Sequence, residues 1–377
     1  MPFPELKALL LSNSGINMVP VLPDSFLGGS APRLQFFTLI AIPFPRLANL
    51  LSSTTHLVNL YLLNIPHSGY ISPEAMVACL SMLTNLERLR LEFESPQSCP
   101  DQENRRSPLP TRSILPTLTS FRFKGVYEYL EDLVSRIDSP RLYQLSTTFF
   151  NDIDYNIPEL NQFISRTPTL GAYNQARLIF HRREALVNLQ LHQSNEHSGP
   201  RIQVKISCQV SDWQLSSLAQ ICTLSLHLFS TMENLYIYDD LDSAPDWKDD
   251  IENTEWLDLL LPFTTVKDLY LSKQFSPRIA PALQELTGGR TTEALPNLQN
   301  LFLEGFQPSE PVHEGIGKFI SARQLIDYPV TISIWKRGMK LIEHADELMQ
   351  HAEILLRDHQ AIMRHDDRIL AEDRMLK

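Results

Sequence analysis

Cysteine is scarce: the 377 residues hold four, Cys79, Cys99, Cys208 and Cys222, far apart and without a CxxC pair. That spacing excludes a disulfide framework or a zinc ribbon and fits buried free thiols in a reducing compartment. No apolar run approaches the ~20 residues of a membrane helix, and the opening MPFPELKALLLSN has neither a basic n-region nor a small-residue cleavage site. The expected location is therefore cytoplasm or nucleus, without membrane contact. Basic residues are the minority, 33 against 44 acidic, for a formal charge of -11, so most of the surface repels phosphate backbones and nucleic acid is not an expected partner.

Catalytic signatures are missing as well. GxSxG, HExxH, GxxxxGK[ST] and GxGxxG do not occur, and Gly288-Gly289-Arg290 lacks the lysine and hydroxyl of a phosphate loop. His344 and His351 share a spacing of seven in a charged segment, with no cysteine to complete a metal set. The sequence predicts a protein without catalytic residues, metal or cofactor.

What is present is a phrase. Pro-x-Leu-x-x-Φ, with Φ apolar and a second Φ two residues later, occurs at Pro4-Leu6-Leu9-Leu11, Pro32-Leu34-Phe37-Leu39, Pro116-Leu118-Phe121-Phe123 and Pro296-Leu298-Leu301-Leu303. Pro140-Leu142-Leu145 and Pro168-Leu170-Tyr173 are weaker copies, with Thr147 and Gln175 in the last place. Leu57-Leu60-Leu62, Leu86-Leu89-Leu91, Met232-Leu235-Ile237 and Val266-Leu269-Leu271 keep the spacing without the proline. Successive copies lie 23 to 34 residues apart, except for one gap of 62, about two steps. This is the period of a leucine-rich-repeat solenoid. The two last apolar residues share the inner face of a short strand, and only stacked neighbours can bury such a stripe. The proline precedes the strand, where its missing N–H removes no ladder bond. Pro45-Leu47-Leu50 and Pro158-Leu160-Phe163 begin like the phrase but continue with helical spacing.

Helical patterns alternate with the strands. Ser72-Pro73-Glu74 predicts an N-cap and first turn for a helix running through Met82. Leu130, Leu133, Val134 and Ile137 follow helical spacing, as do Leu215, Leu218, Ala219 and Cys222 after a Ser211-Asp212 cap. Residues 93–113 form a polar, proline-rich stretch predicted to be a mobile loop. Within 176–209, Leu186-Leu189-Leu191 and RIQVKIS (201–207) predict extra strands, either an irregular repeat or a β insertion. YPVTISIW (328–335) closes the solenoid as a last strand. From Lys336 to Lys377 there is no proline, and an apolar stripe through Leu341, Leu348, Leu355 and Ile362 predicts an amphipathic helix about 60 Å long. That stripe suits either a coiled-coil seam or one long solvated helix. The expected architecture is α/β: a leucine-rich-repeat solenoid over 1–335, with a curved parallel sheet and convex helices, and a helical tail over 336–377.

Binding in such arrays uses the concave sheet. Its outward positions are Tyr61, Arg88, Arg90, Arg122 and Lys124, then Tyr236, Tyr238, Tyr270 and Phe302, with Asp268 and Glu304 beside them. These give a central basic patch and a C-terminal aromatic, acidic patch. Tyrosine and arginine dominate protein interfaces, so a protein or peptide ligand is expected there.

The repeats, with SPEAMVACLSMLTNLERLRLEF (72–93), RIDSPRLYQLSTTFFNDI (136–153), ISCQVSDWQLSSLAQIC (206–222) and the stretch from Asp249 to Gly305, resemble the leucine-rich-repeat region of fungal F-box proteins. In that family an N-terminal F-box of three helices docks on the adaptor of an SCF-type ubiquitin ligase while the repeats capture a substrate. The resemblance implies the substrate-recognition part of a ligase receptor. Here the first repeat strand begins at once with Pro4-Glu5-Leu6, so adaptor binding requires an F-box upstream of this chain. The alternative is a stand-alone interaction scaffold without a ligase link, oligomerised by its C-terminal helix.

Overall fold

The computed structural model describes residues 3, 5–13, 21–23, 26–44, 46–98, 111–150, 155–171, 173–191, 200–208, 213–239, 252–286, 290–305 and 314–335. The predicted helical tail, the Ser211-Asp212 cap and most of the predicted 93–113 loop lie outside the described residues. The chain divides between Ile334 and Trp335, and the elements below belong to the first unit except for Trp335, the last residue of β15.

Strands and helices alternate from the start: β1 (Ala8–Ser12), β2 (Phe36–Ile40), α1 (Leu47–Leu51), β3 (Asn59–Ile65), α2 (Pro73–Ser81), β4 (Arg88–Phe93) and the short β5 (Ser113–Ile114). There follow β6 (Ser120–Gly125), α3 (Tyr127–Ser135), the short β7 (Ile137–Asp138), β8 (Gln144–Phe150) and α4 (Pro158–Ser165). Three consecutive strands come next, β9 (Gln175–His181), β10 (Glu184–Gln190) and β11 (Arg201–Ser207), then α5 (Trp213–Leu224), α6 (Leu226–Phe229) and β12 (Asn234–Asp239). The series ends with α7 (Asn253–Leu260), β13 (Asp268–Leu271), α8 (Phe275–Glu285), β14 (Asn300–Glu304), α9 (Glu314–Leu325) and β15 (Thr331–Trp335).

Among the described residues, thirteen strands make one sheet in the order β1-β2-β3-β4-β6-β8-β11-β10-β9-β12-β13-β14-β15, while β5 and β7 pair separately. The repeat phrase supplies the inner face. Phe37, Leu60, Leu89, Phe121, Leu145, Leu235, Leu269 and Leu301 are buried, as are the partners two residues on, including Thr147. They pack in one core cluster with helix residues such as Met76, Leu80, Leu130, Leu133, Leu215 and Ile279. Both segments that only begin like the phrase are helices, α1 and α4. α2 opens as its residues require: Ser72 Oγ accepts from Ala75 N at 3.3 Å, with Pro73 in the first turn. Ile137, read with α3, lies beyond it in β7.

The copy at Pro168-Leu170-Tyr173 is displaced by three residues. Leu170 closes a 3₁₀ turn, and the strand that follows points Ala176, Leu178 and Phe180 into the core. Asn234 pairs with Gln175 as Asp268 pairs with Asn234, so Tyr173 holds the place that Val266 holds two strands on. The irregular region between them is a β meander within the same sheet. β11 runs parallel to β8, β10 antiparallel to both of its neighbours, and β9 parallel to β12. A two-residue link, Arg182-Arg183, joins β9 to β10. The parallel array therefore crosses an antiparallel strand without losing its ladder.

A further feature sits just before the first apolar residue in five copies of the phrase, at Asn85, Thr117, Thr231, Thr265 and Asn297. Asn85 Nδ2 donates to Thr55 O at 3.0 Å and Asn297 Nδ2 to Thr264 O at 2.8 Å. Thr117 Oγ1 reaches Thr84 O and Leu86 O, Thr231 Oγ1 reaches Tyr173 O, and Thr265 Oγ1 reaches Ser230 O and Met232 O. In these copies the variable residue of the phrase ties its turn to the preceding repeat, satisfying carbonyls the ladder leaves open.

Candidate protein-binding face

Strand alternation places the residues between the core positions on the opposite, polar face of the sheet. The pairing register arranges them in rows across the strands. The middle row runs Tyr61, Arg90, Arg122, Ser146, Gln203, Asn188, Arg177, Tyr236, Tyr270, Phe302. At about 4.8 Å per strand it extends about 40 Å. Tyr61, Arg90, Arg122, Tyr236, Tyr270 and Phe302, chosen from separate repeats of the sequence, thus stand in one line. Arg88 lies in the row on the N-terminal side and Lys124 in the row on the C-terminal side.

Tyr238 is a correction. It shares the polar-face parity of Tyr236 but is only 3 % exposed. Its register partner is Ile179, which pairs in turn with Leu186, and both are buried outside the main core cluster. The meander supplies apolar neighbours on the polar face at that row, so the Tyr238 ring is packed rather than presented.

The last three residues of the middle row form an aromatic stack. Tyr236 and Tyr270 have ring centroids 4.1 Å apart at 7°, and Tyr270 and Phe302 4.3 Å apart at 6°. The Arg177 guanidinium lies over Tyr236 at 5.7 Å, closing the end of the stack. Both faces of Tyr270 are therefore taken by rings, and what it offers outward is an edge and a hydroxyl. The Tyr236 and Tyr270 hydroxyls share a hydrogen bond. Burial pushes both phenols up; Tyr270 is raised further by Tyr236 and Asp268. Both remain neutral donors at physiological pH. Asn300 Nδ2 donates to Asp268 Oδ1 at 2.7 Å, fixing the acid beside the stack. Such a ledge, apolar along its edges with hydroxyls and a carboxylate at hand, suits the mixed side chains of a protein surface.

The basic patch is wider than the sequence indicates. Arg88 is exposed, Arg90 pairs with Glu92, and Lys124 lies 5.7 Å over the Phe150 ring. β11 adds two cations: Arg201 registers with Gln144 and Lys205 with Thr148, and Lys205 pairs with Glu184 at 2.8 Å. Sequence reasoning missed Arg177, Arg201, Gln203 and Lys205. The alternation Arg201-Gln203-Lys205 in RIQVKIS was the available signal; Arg177 was concealed by the three-residue displacement of its repeat. Among the described residues no group of three or more His, Cys, Asp or Glu side chains could hold a metal ion, and no helix is long and apolar enough to cross a membrane.

No family model matches the chain, and no curated protein does. Among solved structures, the leucine-rich repeat-containing protein LegL7 from Legionella pneumophila is similar at 13 % identity and a TM-score of 0.32, with 85 % of this chain and 90 % of that chain covered. The fold assignment rests on this chain's own repeat period and strand order. They define a mixed α/β repeat protein with a large, mainly parallel sheet whose inner face carries the helices.

Proposed function

We propose that this chain is a protein-binding repeat domain and that its ligand, a protein or peptide, docks across the polar face of the sheet. The observation that carries the reading is the middle row. Rigid aromatic rings, already stacked on one another and capped by Arg177, lose little conformational entropy on binding, which is what interface anchors require. Binding rather than catalysis is the activity.

The resemblance to fungal F-box proteins extends this to a role: the repeats select a substrate for an SCF-type ubiquitin ligase, with the adaptor held by an F-box outside this chain. Affinity purification of the tagged chain from its own cells tests both levels. Specific co-purifying proteins that disappear with the pair Tyr270→Ala and Phe302→Ala support the binding face; capture unchanged by that pair removes the stack from the function. Adaptor and cullin among the recovered proteins support the ligase role, whereas specific partners without them leave a stand-alone scaffold.

A further inference from the structure

We propose that the open end of the aromatic stack seats an arginine side chain of the partner protein, its guanidinium laid on the free face of Phe302 beside Glu304. This rests on the reading of the sheet as a protein-binding face and names the side chain that the stack receives. The stack is closed at one end and open at the other. At the β9 end the Arg177 guanidinium lies 5.7 Å over the Tyr236 ring. Tyr236, Tyr270 and Phe302 follow with centroids 4.1 and 4.3 Å apart, on three successive strands. The next strand is β15. Thr331 N donates to Gln299 O at 2.8 Å, as Asn300 N donates to Lys267 O at 2.9 Å one strand earlier. In that earlier pair Asn300 registers with Asp268, so Thr331 stands beside Asn300 and Ser333 beside Phe302. A half-buried serine thus takes the place beyond three rings. A hydroxymethyl group covers little of a phenyl face, and among the described residues no ring or cation lies over that side of Phe302.

Charge and shape select the occupant. A phenyl face is the negative pole of the ring quadrupole and attracts a cation within about 6 Å of its centroid. Glu304, two residues beyond Phe302 on the same strand face and about 7 Å along it, adds a carboxylate that accepts from Lys273 N at 3.2 Å. On the other side of the stack Asp268, two residues before Tyr270, accepts from Asn300 Nδ2 at 2.7 Å. A chain of formal charge -11 also draws cations toward its surface. Arginine fits better than lysine. Its planar guanidinium lies flat on a ring while its N–H groups point outward in the plane, toward a carboxylate at the rim; an ammonium is a strongly hydrated point charge. The stack already makes this contact once, at Arg177. An aromatic side chain matches the ring face but leaves the carboxylate unanswered.

Saturation-transfer NMR of the full chain with the capped tripeptides Gly-Arg-Gly, Gly-Lys-Gly, Gly-citrulline-Gly and Gly-Phe-Gly, at about 50 mM salt, tests the assignment. The arginine peptide binds saturably, the lysine peptide several-fold more weakly, and the citrulline peptide, of the same shape without the charge, more weakly again, as does the phenylalanine peptide. Phe302→Leu lowers the affinity for the arginine peptide about fivefold or more. Glu304→Gln, whose amide oxygen still accepts from Lys273 N, lowers it a few-fold. Ser333→Arg lays a guanidinium on the face from β15 itself and excludes the peptide while every ring of the stack stays in place, so its loss of binding is not a loss of folding. Absence of arginine-peptide binding, a lysine, citrulline or phenylalanine peptide that binds as tightly, or binding unchanged in both Phe302→Leu and Ser333→Arg each overturns the proposal. The two levels separate cleanly. If the arginine peptide fails while cellular capture is still lost with the Tyr270→Ala and Phe302→Ala pair, the binding face stands and its guanidinium ligand falls; if capture survives both that pair and Ser333→Arg, the binding face falls too.

Discussion

At the scale of single residues, the molecule is held by buried polar groups that the repeat phrase does not announce. Arg323 in α9 is fully buried, yet its guanidinium donates to Thr291 O at 3.2 Å, Pro296 O at 3.0 Å and Leu298 O at 3.1 Å, between the rings of Phe319 and Tyr328. Burial lowers its pKa, as expected for a cation taken out of water. The group ties α9 to the turn that leads into β14. Arg323→Met, which keeps most of the volume, strands three carbonyls and should cost about 2–3 kcal/mol, read as a lower urea midpoint. A variant as stable as the parent would mean that the carbonyls find water instead. Nothing local in the sequence distinguishes the buried Arg323 from a solvated arginine.

At the scale of elements, neighbouring repeats cap one another. α4 begins at Pro158 without a side-chain cap of its own; Glu131, from the preceding helix α3, accepts from Glu159 N and Leu160 N at 2.8 Å each. A buried carboxylate at a helix N-terminus satisfies two open donors and meets the positive end of the helix dipole. Glu131→Ala should destabilise by about 2 kcal/mol, and Glu131→Gln by less, since the amide oxygen still accepts. Hydrogen exchange at the α4 amides checks this; protection unchanged in Glu131→Ala would show that the cap contributes nothing. Arg136 joins α3 to α2 in the same manner, pairing with Glu74 at 3.1 Å and Asp132 at 2.8 Å. Helical spacing made α1, α3, α4 and α5 readable in the sequence. The local cap of α2 at Ser72 was legible too, whereas the cap of α4 was not, because its partner Glu131 is one repeat away.

At the scale of the whole molecule, stability should depend on pH through buried protons. Burial raises the thiols of Cys79, Cys208 and Cys222, that of Cys208 to about 12 against an ordinary value of 9.0, and raises the Tyr173 phenol likewise. Above pH 9.0 the unfolded chain releases thiol protons that the folded chain keeps. Their contribution is therefore complete below pH 9.0 and is lost as pH rises toward 12. Urea midpoints should fall steadily between pH 8.5 and pH 10.5, and a flat profile there would contradict this assignment of the thiols to the core.

Read alone, the sequence settled the repeat period, most of the strands and six of the residues in the middle row of the polar face, but not the register of β9 nor the short β5 and β7. Each depends on spacing within about seven residues, where alternation and helical periodicity act directly. Tertiary structure decided the rest. The meander β9–β11 reverses strand order, so it carries Arg201 and Lys205 to β8 and Arg177 to Tyr236, over distances no local pattern encodes. The same meander buries Tyr238, whose alternation is identical to that of Tyr236. Which face a strand residue takes follows from its own neighbours in sequence; whether that face meets solvent, a cation or another ring depends on which strand lies beside it.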